Sequence, residues 1–346
     1  MSGGVDSAVA AYLLKKEGHE VVGVTLRTWE ADSGEHSRCC EIDDARLVSQ
    51  ILGIDYHVIN CAREFKEKVT APFIESYIHG MTPNPCTGCN SGVKWEKMQY
   101  MAKVLEADLI ATGHYACIER SESGRYAVKK AFHAEKDQTY MLYRLSQEQL
   151  AMTVMPLGKL SKQEVRQIAR EAGIPVAEKQ DSQEICFVTD GDYAEYIEKN
   201  ADQPIPGPGN FVDEEGNILG VHKGITHYTV GQRKGLGLAM GYPAYVKQIR
   251  PQSDEVVISV EESLFSDELL CDEINFMSIP PLEVGESFRC RAKIRYHHKG
   301  EAAVVERTGD DRIRIRFDSP VRAAAPGQAC VFYDSEDRVA GGGRII

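Results

Sequence analysis

The order of apolar and polar positions divides the chain into two unlike halves. In the first, short apolar runs alternate with stretches of helical period. Residues 8–16 read as a helix, 20–26 as a short apolar strand, 43–52 as a helix and 55–60 as a strand. Helices over 63–78 and 94–105 then lead to a strand over 108–112. Strands alternating with helices at this spacing predict an α/β fold with a parallel, doubly wound sheet, whose ligands bind at the carboxyl ends of its strands. Leu26 and Thr112-Gly113-His114 fall at two such ends. Residues 159–172 predict an amphipathic helix closed by Gly173 and Pro175. The stretch 80–89 breaks the pattern: Gly80, Pro83, Pro85 and Gly88 predict an exposed, irregular loop between helices.

The proline- and glycine-rich stretch 204–209 is the clearest linker, and beyond it the helical period disappears. Residues 245–260, 288–296, 302–307, 312–317 and 329–333 read as short strands separated by turns. The second half is therefore predicted as small, mostly β domains ending in a C-terminal β-barrel or sandwich. The implied division is a catalytic domain over 1–200, a central domain over 205–268 and a barrel over 270–346. Arg312-Ile313-Arg314-Ile315-Arg316-Phe317 alternates so that one face is apolar and the other basic.

The candidate chemistry opens the chain. Ser2-Gly3-Gly4-Val5-Asp6-Ser7 is a flexible turn running straight into the first helix. Gly3 and Gly4 let backbone approach a ligand, and the first helical amides form an anion site. Ser2 and Ser7 add hydroxyl donors, and Asp6 is placed to hold magnesium against phosphate oxygens. No Walker motif occurs, and no lysine stands at the helix start. An ordinary glycine-rich turn is the plain alternative. Such a loop is expected to leave the end of a strand, so a first strand is expected to be missing before Met1.

Composition narrows the setting. At 346 residues the chain suits two or three domains. No apolar run is long enough to span a bilayer and no export leader is seen, so the ten cysteines point to a reducing compartment and a cytoplasmic protein with no membrane partner. The net charge of −12 argues against a general polyanion binder. The charge is uneven, however. Residues 216–253 hold no acid but carry Lys223, Arg233, Lys234, Lys247 and Arg250, and residues 289–299 form a second acid-free basic run. Together they predict a phosphate-facing surface.

The opening motif resembles the pyrophosphate loop of the ATP pyrophosphatases, which split ATP to AMP and pyrophosphate and share an adenine nucleotide alpha-hydrolase-like fold. Further stretches, namely 39–45, 81–90, 112–116, 136–138, 156–162, 181–187, 224–238, 295–296 and 317–328, together resemble the tRNA-specific 2-thiouridylases, the MnmA family. The resemblance implies that ATP, with Mg2+, adenylates the 2-oxygen of a wobble uridine, which sulfur then replaces. It assigns pyrophosphate to Ser2, Gly3, Gly4, Val5, Asp6 and Ser7, and adenosine to Leu26 and Gly113. Cys89 matches the loop nucleophile and Cys186 the persulfide carrier, whose reaction releases sulfide or leaves a Cys89–Cys186 disulfide. Asn84, Pro85 and Cys86 match the segment meeting the target base. His114, Lys136, Asp137, Gln138, Arg295, Tyr296 and Gln328 match tRNA-contacting positions. The implied partners are the Lys, Glu and Gln tRNA isoacceptors and a sulfur donor, either a cysteine desulfurase or a sulfur relay.

One departure matters. Cys86 stands where the family's familiar loop has Asp. Cys86, Cys89 and Cys186 are therefore also candidate ligands of a 4Fe–4S cluster carrying sulfide. A cysteine taken alone is more often a small buried hydrophobe, and Cys186 between Ile185 and Phe187 fits that reading too. Two other readings compete: a different ATP pyrophosphatase, such as an amidotransferase-type synthetase or a tRNA lysidine synthetase, and a tRNA-binding protein with little catalysis.

Overall fold

The structure, a computed structural model, describes residues 1–29, 41–121, 123–179, 185–188 and 191–346. Its N-terminal part alternates as expected: α1 (Val5–Lys16), β1 (Val22–Arg27), α2 (Ile42–Leu52) and β2 (Asp55–Asn60). Two broken helices follow. In the first, α3 (Ala62–Phe65) passes through a π-helical turn into α4 (Ala71–Ile78). In the second, α5 (Pro85–Cys89) passes through a π-helical turn into α6 (Glu96–Val104). Then come β3 (Ile110–Ala111), the hairpin β4 (Ala116–Arg120) and β5 (Tyr126–Lys130), α7 (Gln147–Ala151), β6 (Thr153–Val154), α8 (Lys162–Glu171) and α9 (Tyr193–Asn200).

Among the described residues the parallel sheet is two pairs, β1 with β2 and β3 with β6. Helix α6 packs on both β1 and β3, and α1 packs on both α2 and α8. Met1 lies along β1: its amino group donates to the Val24 carbonyl, and Thr25 Oγ1 donates to the Met1 carbonyl at 2.6 Å. The opening loop therefore starts beside β1. The small side chains of α1 explain the close packing, since Val5, Ala8, Val9 and Ala11 share one apolar cluster with Val165 and Ala169 of α8. A reciprocal cap between Ser161 and Glu164 starts α8, and Gly173 at φ +67° ends it.

The middle domain is a four-stranded sheet of β7 (Gly209–Val212), β8 (Ile218–His222), β9 (Tyr245–Arg250) and β10 (Glu255–Ser259), ordered β8-β7-β10-β9. The C-terminal part closes as a barrel of β11 (Phe265–Phe276), β12 (Ser287–Lys293), β13 (Glu301–Gly309), β14 (Arg312–Arg322), β15 (Ala329–Tyr333) and β16 (Val339–Ile345). Its order is β11-β14-β13-β12-β15-β16. The alternation in β14 is real: Ile313 and Ile315 are fully buried inside the barrel. The outer face is basic, as its sequence predicts, and its arginines are paired with neighbouring strands. Arg314 and Arg316 pair with Glu268 of β11 and Glu306 of β13.

The barrel shares a core with the N-terminal domain. Met277, Ala329, Val331, Tyr333 and Val339 pack into one cluster with Trp95, Ala127, Tyr140, Leu142 and Tyr143. Arg125 donates to the carbonyls of Phe276 and Met277, and Tyr140 donates to the Ala329 carbonyl at 2.7 Å. Among the described residues no helix is long and apolar enough to cross a membrane.

Candidate active site

The loop ahead of α1 has the form of an anion cradle. Gly4 caps the helix with backbone alone, so among the described residues no capping side chain occupies its first amides. Ser2 N–H donates to Ser7 Oγ at 3.1 Å, and Ser7 Oγ donates to the Gly4 carbonyl at 3.1 Å. Gly3 and Gly113 are sterically required, whereas a Cβ on Gly4 would meet only Ser2 Oγ at 3.5 Å. A Cβ on Gly3, at φ +76°, would lie 2.6 Å from the Glu41 carbonyl oxygen, and one on Gly113 would lie 2.7 Å from the Asp6–Ser7 backbone. Gly113, read as an adenosine contact, thus also lets the end of β3 touch the loop.

Asp6 is not idle. Lys162 Nζ lies 2.7 and 2.9 Å from its two carboxylate oxygens, and Tyr115 Oη donates to it at 2.7 Å. Lys162 is the first residue of α8, so the Ser161–Glu164 cap that starts this helix also aims the ammonium at the loop. The sequence by itself assigns no role to Lys162 or Tyr115. Its only local signal is the capping pattern, because Asp6 and Lys162 stand 156 positions apart.

The cysteine segment differs from the exposed loop that its prolines and glycines predict. Pro85 occupies the first turn of α5, where a missing N–H costs nothing, and the Asn84 side chain accepts from Cys86 N–H at 3.1 Å. The residues read as breakers therefore start a helix. Cys89, on its last turn, is buried at 8% exposure, and Cys86 is half-buried. Cys89 belongs to an apolar cluster with Cys61, Phe65, Phe73, Val93 and Phe187, against which Cys186, Ile185 and Leu26 pack. The aromatic contacts of Phe187 with Phe65 and Phe73 hold the Cys186 segment there. Leu26 lies near the end of β1, the strand beside which the opening loop starts, so that strand end is packed against the cluster of the two cysteines.

Cys186 is a free, half-buried thiol, as Cys117 is, and Cys271, Cys290 and Cys330 are free and buried in the barrel. Cys39, Cys40 and the residues 181–184 preceding Cys186 lie outside the described residues. Among the described residues no three His, Cys, Asp or Glu are gathered to hold a metal, so Cys86, Cys89 and Cys186 do not form a ligand set in this arrangement. The segments of Cys89 and Cys186 are brought together by packing, with Cys86 outside the shared apolar cluster.

The positions matched to tRNA contacts separate into two groups. Some have side chains committed inside the protein. Asp137 is buried, accepting from Ala131 N–H at 3.1 Å and Thr139 Oγ1 at 2.8 Å. Gln138 Oε1 accepts from Tyr115 N–H at 2.9 Å. Gln328 Nε2 donates to the Thr82 carbonyl at 3.0 Å, at the base of the cysteine helix. His114 packs on Trp95 with ring centres 5.5 Å apart, and burial, aided by Lys94, pulls its pKa down to about 3. A ring held that low favours the neutral form near pH 7, and its Nδ1 lies 3.0 Å from Thr112 Oγ1. The rest face outward or line the site. Arg295 is exposed, and Lys136 and Tyr296 are half-buried. Burial and then Asp137 raise the Tyr296 phenol above its ordinary value, and Cys86 acts on it in the same direction. Tyr296 thus stands close to the cysteine helix. Of the two basic runs, Arg289 is paired with Asp318, Lys247 with Glu214 and Arg250 with Glu255, while Lys223, Arg233, Lys234 and Lys299 are exposed.

Comparison with known proteins agrees with this layout. Residues 1–190 match the tRNA methyl transferase HUP domain family, 195–260 the tRNA methyl transferase PRC-barrel domain, and 266–345 the aminomethyltransferase beta-barrel domain. A tRNA-specific 2-thiouridylase MnmA of Lachnoclostridium phytofermentans is 50% identical, covering 100% of this chain and 98% of its own. The corresponding protein of Clostridioides difficile is 49% identical, covering 100% and 96%. A solved U34-tRNA thiolase NcsA from Methanococcus maripaludis aligns at 20% identity over 58% of this chain and 65% of its own, with a TM-score of 0.35. On the full-length identity to the thiouridylases, the chain belongs to the tRNA-specific 2-thiouridylase family.

Proposed function

We propose that this chain replaces the 2-oxygen of a wobble uridine in tRNA with sulfur, at the expense of ATP. The observation that carries the reading is an anion cradle that starts beside β1, with a cluster holding two cysteines packed against Leu26 of the same strand. The carbonyl oxygen of uracil is a poor leaving group, so it first attacks the α-phosphorus of ATP. This forms an adenylated uridine and expels pyrophosphate. The free amides of α1, the Ser2 and Ser7 hydroxyls and the Lys162 ammonium suit the departing anion. Magnesium would reach the site with the phosphates, and Asp6 would hold it once Lys162 turns to the phosphates.

A sulfur donor protein, a cysteine desulfurase or a relay protein, leaves a persulfide on Cys186. The Cys89 thiolate attacks the inner sulfur, forming a Cys89–Cys186 disulfide and releasing hydrosulfide. Hydrosulfide adds to C2, AMP departs with the original oxygen, and an external thiol reduces the disulfide. The base must leave the anticodon stack to reach this crevice. Asn84, Pro85, Cys86 and Tyr296 would border it, with Arg295 and Lys136 on the surrounding phosphates. The persulfide route is favoured over a 4Fe–4S cluster because Cys86, Cys89 and Cys186 are not gathered as a ligand set among the described residues. The expected substrates are the Lys, Glu and Gln isoacceptors, in the cytoplasm.

Reconstitution with ATP, a wobble-uridine tRNA and a persulfide donor tests the reading. Thiolated tRNA with AMP and pyrophosphate is expected, and Cys89→Ser or Cys186→Ser should abolish it. ADP as the nucleotide product would refute it.

A further inference from the structure

The short segment leading into the cysteine helix is gripped from two sides. On one side Gly80, at φ +70°, comes so close to β9 that a Cβ would lie 2.9 Å from Ile249 Cγ2. On the other side the turn between β14 and β15 closes on it. Thr82 N–H donates to the Pro326 carbonyl at 2.7 Å, and Gln328 Nε2 donates to the Thr82 carbonyl at 3.0 Å, with Pro83 O at 3.4 Å. A Cβ on Gly327, at φ +90°, would lie 3.0 Å from Met81 Cβ and 3.1 Å from Thr82 N. Middle domain and barrel thus meet on residues 80–83, directly before the Asn84 cap.

The same turn is pinned to the middle domain. Ala323 holds a left-handed conformation at φ +54°, unfavourable for a residue with a Cβ, with its N–H donating to the Leu264 carbonyl at 2.8 Å. A Cβ on Gly231 would lie 2.7 Å from Ala323 Cβ, and Val230 packs on the cluster of Tyr245, Leu264 and Ala323. Arg322 lies 5.1 Å over the Tyr245 ring. Exposed Arg233 and Lys234 follow Gly231 closely in sequence.

We infer that Gln328 is a positioning residue, whose amide fastens the segment before the cysteine helix to the barrel, and through the barrel's turn to the middle domain, so that a tRNA held by them meets Cys89 in register. This gives the side chain an internal role at a position where the family resemblance implies a contact with tRNA. The inference rests on the thiolation reading only for its activity arm, because reactivity of Cys89 can be measured without turnover.

The test is iodoacetamide labelling of the full chain, with Cys89 and Cys290 followed by peptide mass spectrometry. Gln328→Leu removes the donor at similar volume, and Gln328→Glu keeps the shape but replaces the donor with an acceptor. Loss of one hydrogen bond should speed Cys89 labelling about fivefold in either variant, through more frequent local opening. Labelling of Cys290, buried in the barrel, should stay slow. Affinity for unmodified tRNA should not change, while single-turnover thiolation falls. Cys89 labelling at the wild-type rate in a folded variant would overturn the inference. So would weaker tRNA binding with Cys89 labelling unchanged, which would make Gln328 a tRNA contact. If thiolation is absent even from the wild type but Cys89 labels faster in the variants, the positioning role stands and the proposed function fails.

Discussion

The ammonium of Lys162 sits on the carboxylate of Asp6, and the side chain is largely enclosed, so the pair holds its geometry before any nucleotide arrives. Replacing Lys162 with Met should lower AMP formation by about a hundredfold through loss of one charged donor to developing phosphate charge, with tRNA affinity unaffected. Quenched-flow measurement of AMP checks this, and a wild-type rate would assign Lys162 to structure alone. His114 makes a different kind of prediction. Its pKa is depressed to about 3 in the folded chain and is near 6.5 when unfolded, so the unfolded chain takes up the proton first. Its stabilising contribution is complete above about pH 6.5 and is lost as pH falls toward 3, by at most about 1.4 kcal/mol per pH unit. Thermal melts of the wild type and His114→Asn at pH 7 and pH 5 should therefore converge on acidification. A constant gap would show that His114 titrates normally. At this scale the sequence is a partial guide. Asp137, Gln138 and Gln328 are recognisable as polar positions of the family, but their partners at Ala131, Tyr115 and Thr82 are set by the fold.

Strands and helices are legible where the local pattern is clear. β2 spans the residues 55–60 read as a strand, though none of them is buried, and α8 follows its amphipathic period with a capping pair at its start. The cysteine helix is hidden because Pro85 and Gly88 read as breakers, whereas Pro at the first turn and an Asn cap worth about 1 kcal/mol favour helix. β16 is hidden because Ala340-Gly341-Gly342-Gly343-Arg344 has no strand propensity. β14 shows the converse, a legible strand whose outer arginines are neutralised by Glu268 and Glu306 from neighbouring strands. Replacing Arg314 and Arg316 should therefore leave the salt dependence of tRNA binding unchanged. Replacing exposed Arg295 and Lys299 should flatten it by about 0.7–0.9 of a log–log unit for each phosphate no longer neutralised. Filter-binding titrations over a range of salt distinguish the two, and equal slopes for both pairs would remove the basic run at 289–299 from the interface.

The molecule as a whole is less divisible than its sequence suggests. The linker at 204–209 is visible, yet the barrel beyond it is built into the N-terminal core through Met277, Val331, Tyr333 and Val339. Such an interface couples folding, so calorimetry of the full chain should show the N-terminal domain and barrel melting in one transition. A barrel transition separate from the N-terminal one would contradict this. Of the three glycines of β16, Gly342 sits against this shared core, and Gly341 and Gly343 sit against β11. A Cβ on Gly341 would lie 2.4 Å from the Asn275 carbonyl oxygen, on Gly342 2.5 Å from the Tyr143 ring, and on Gly343 2.8 Å from the Asp272 carbonyl oxygen. In a selection of random variants for growth, these codons would tolerate almost nothing, as strictly as those of the nucleotide loop. Such a genetic map would mark the end of the chain as a second active site, when what it records is a seam with no room for one more carbon.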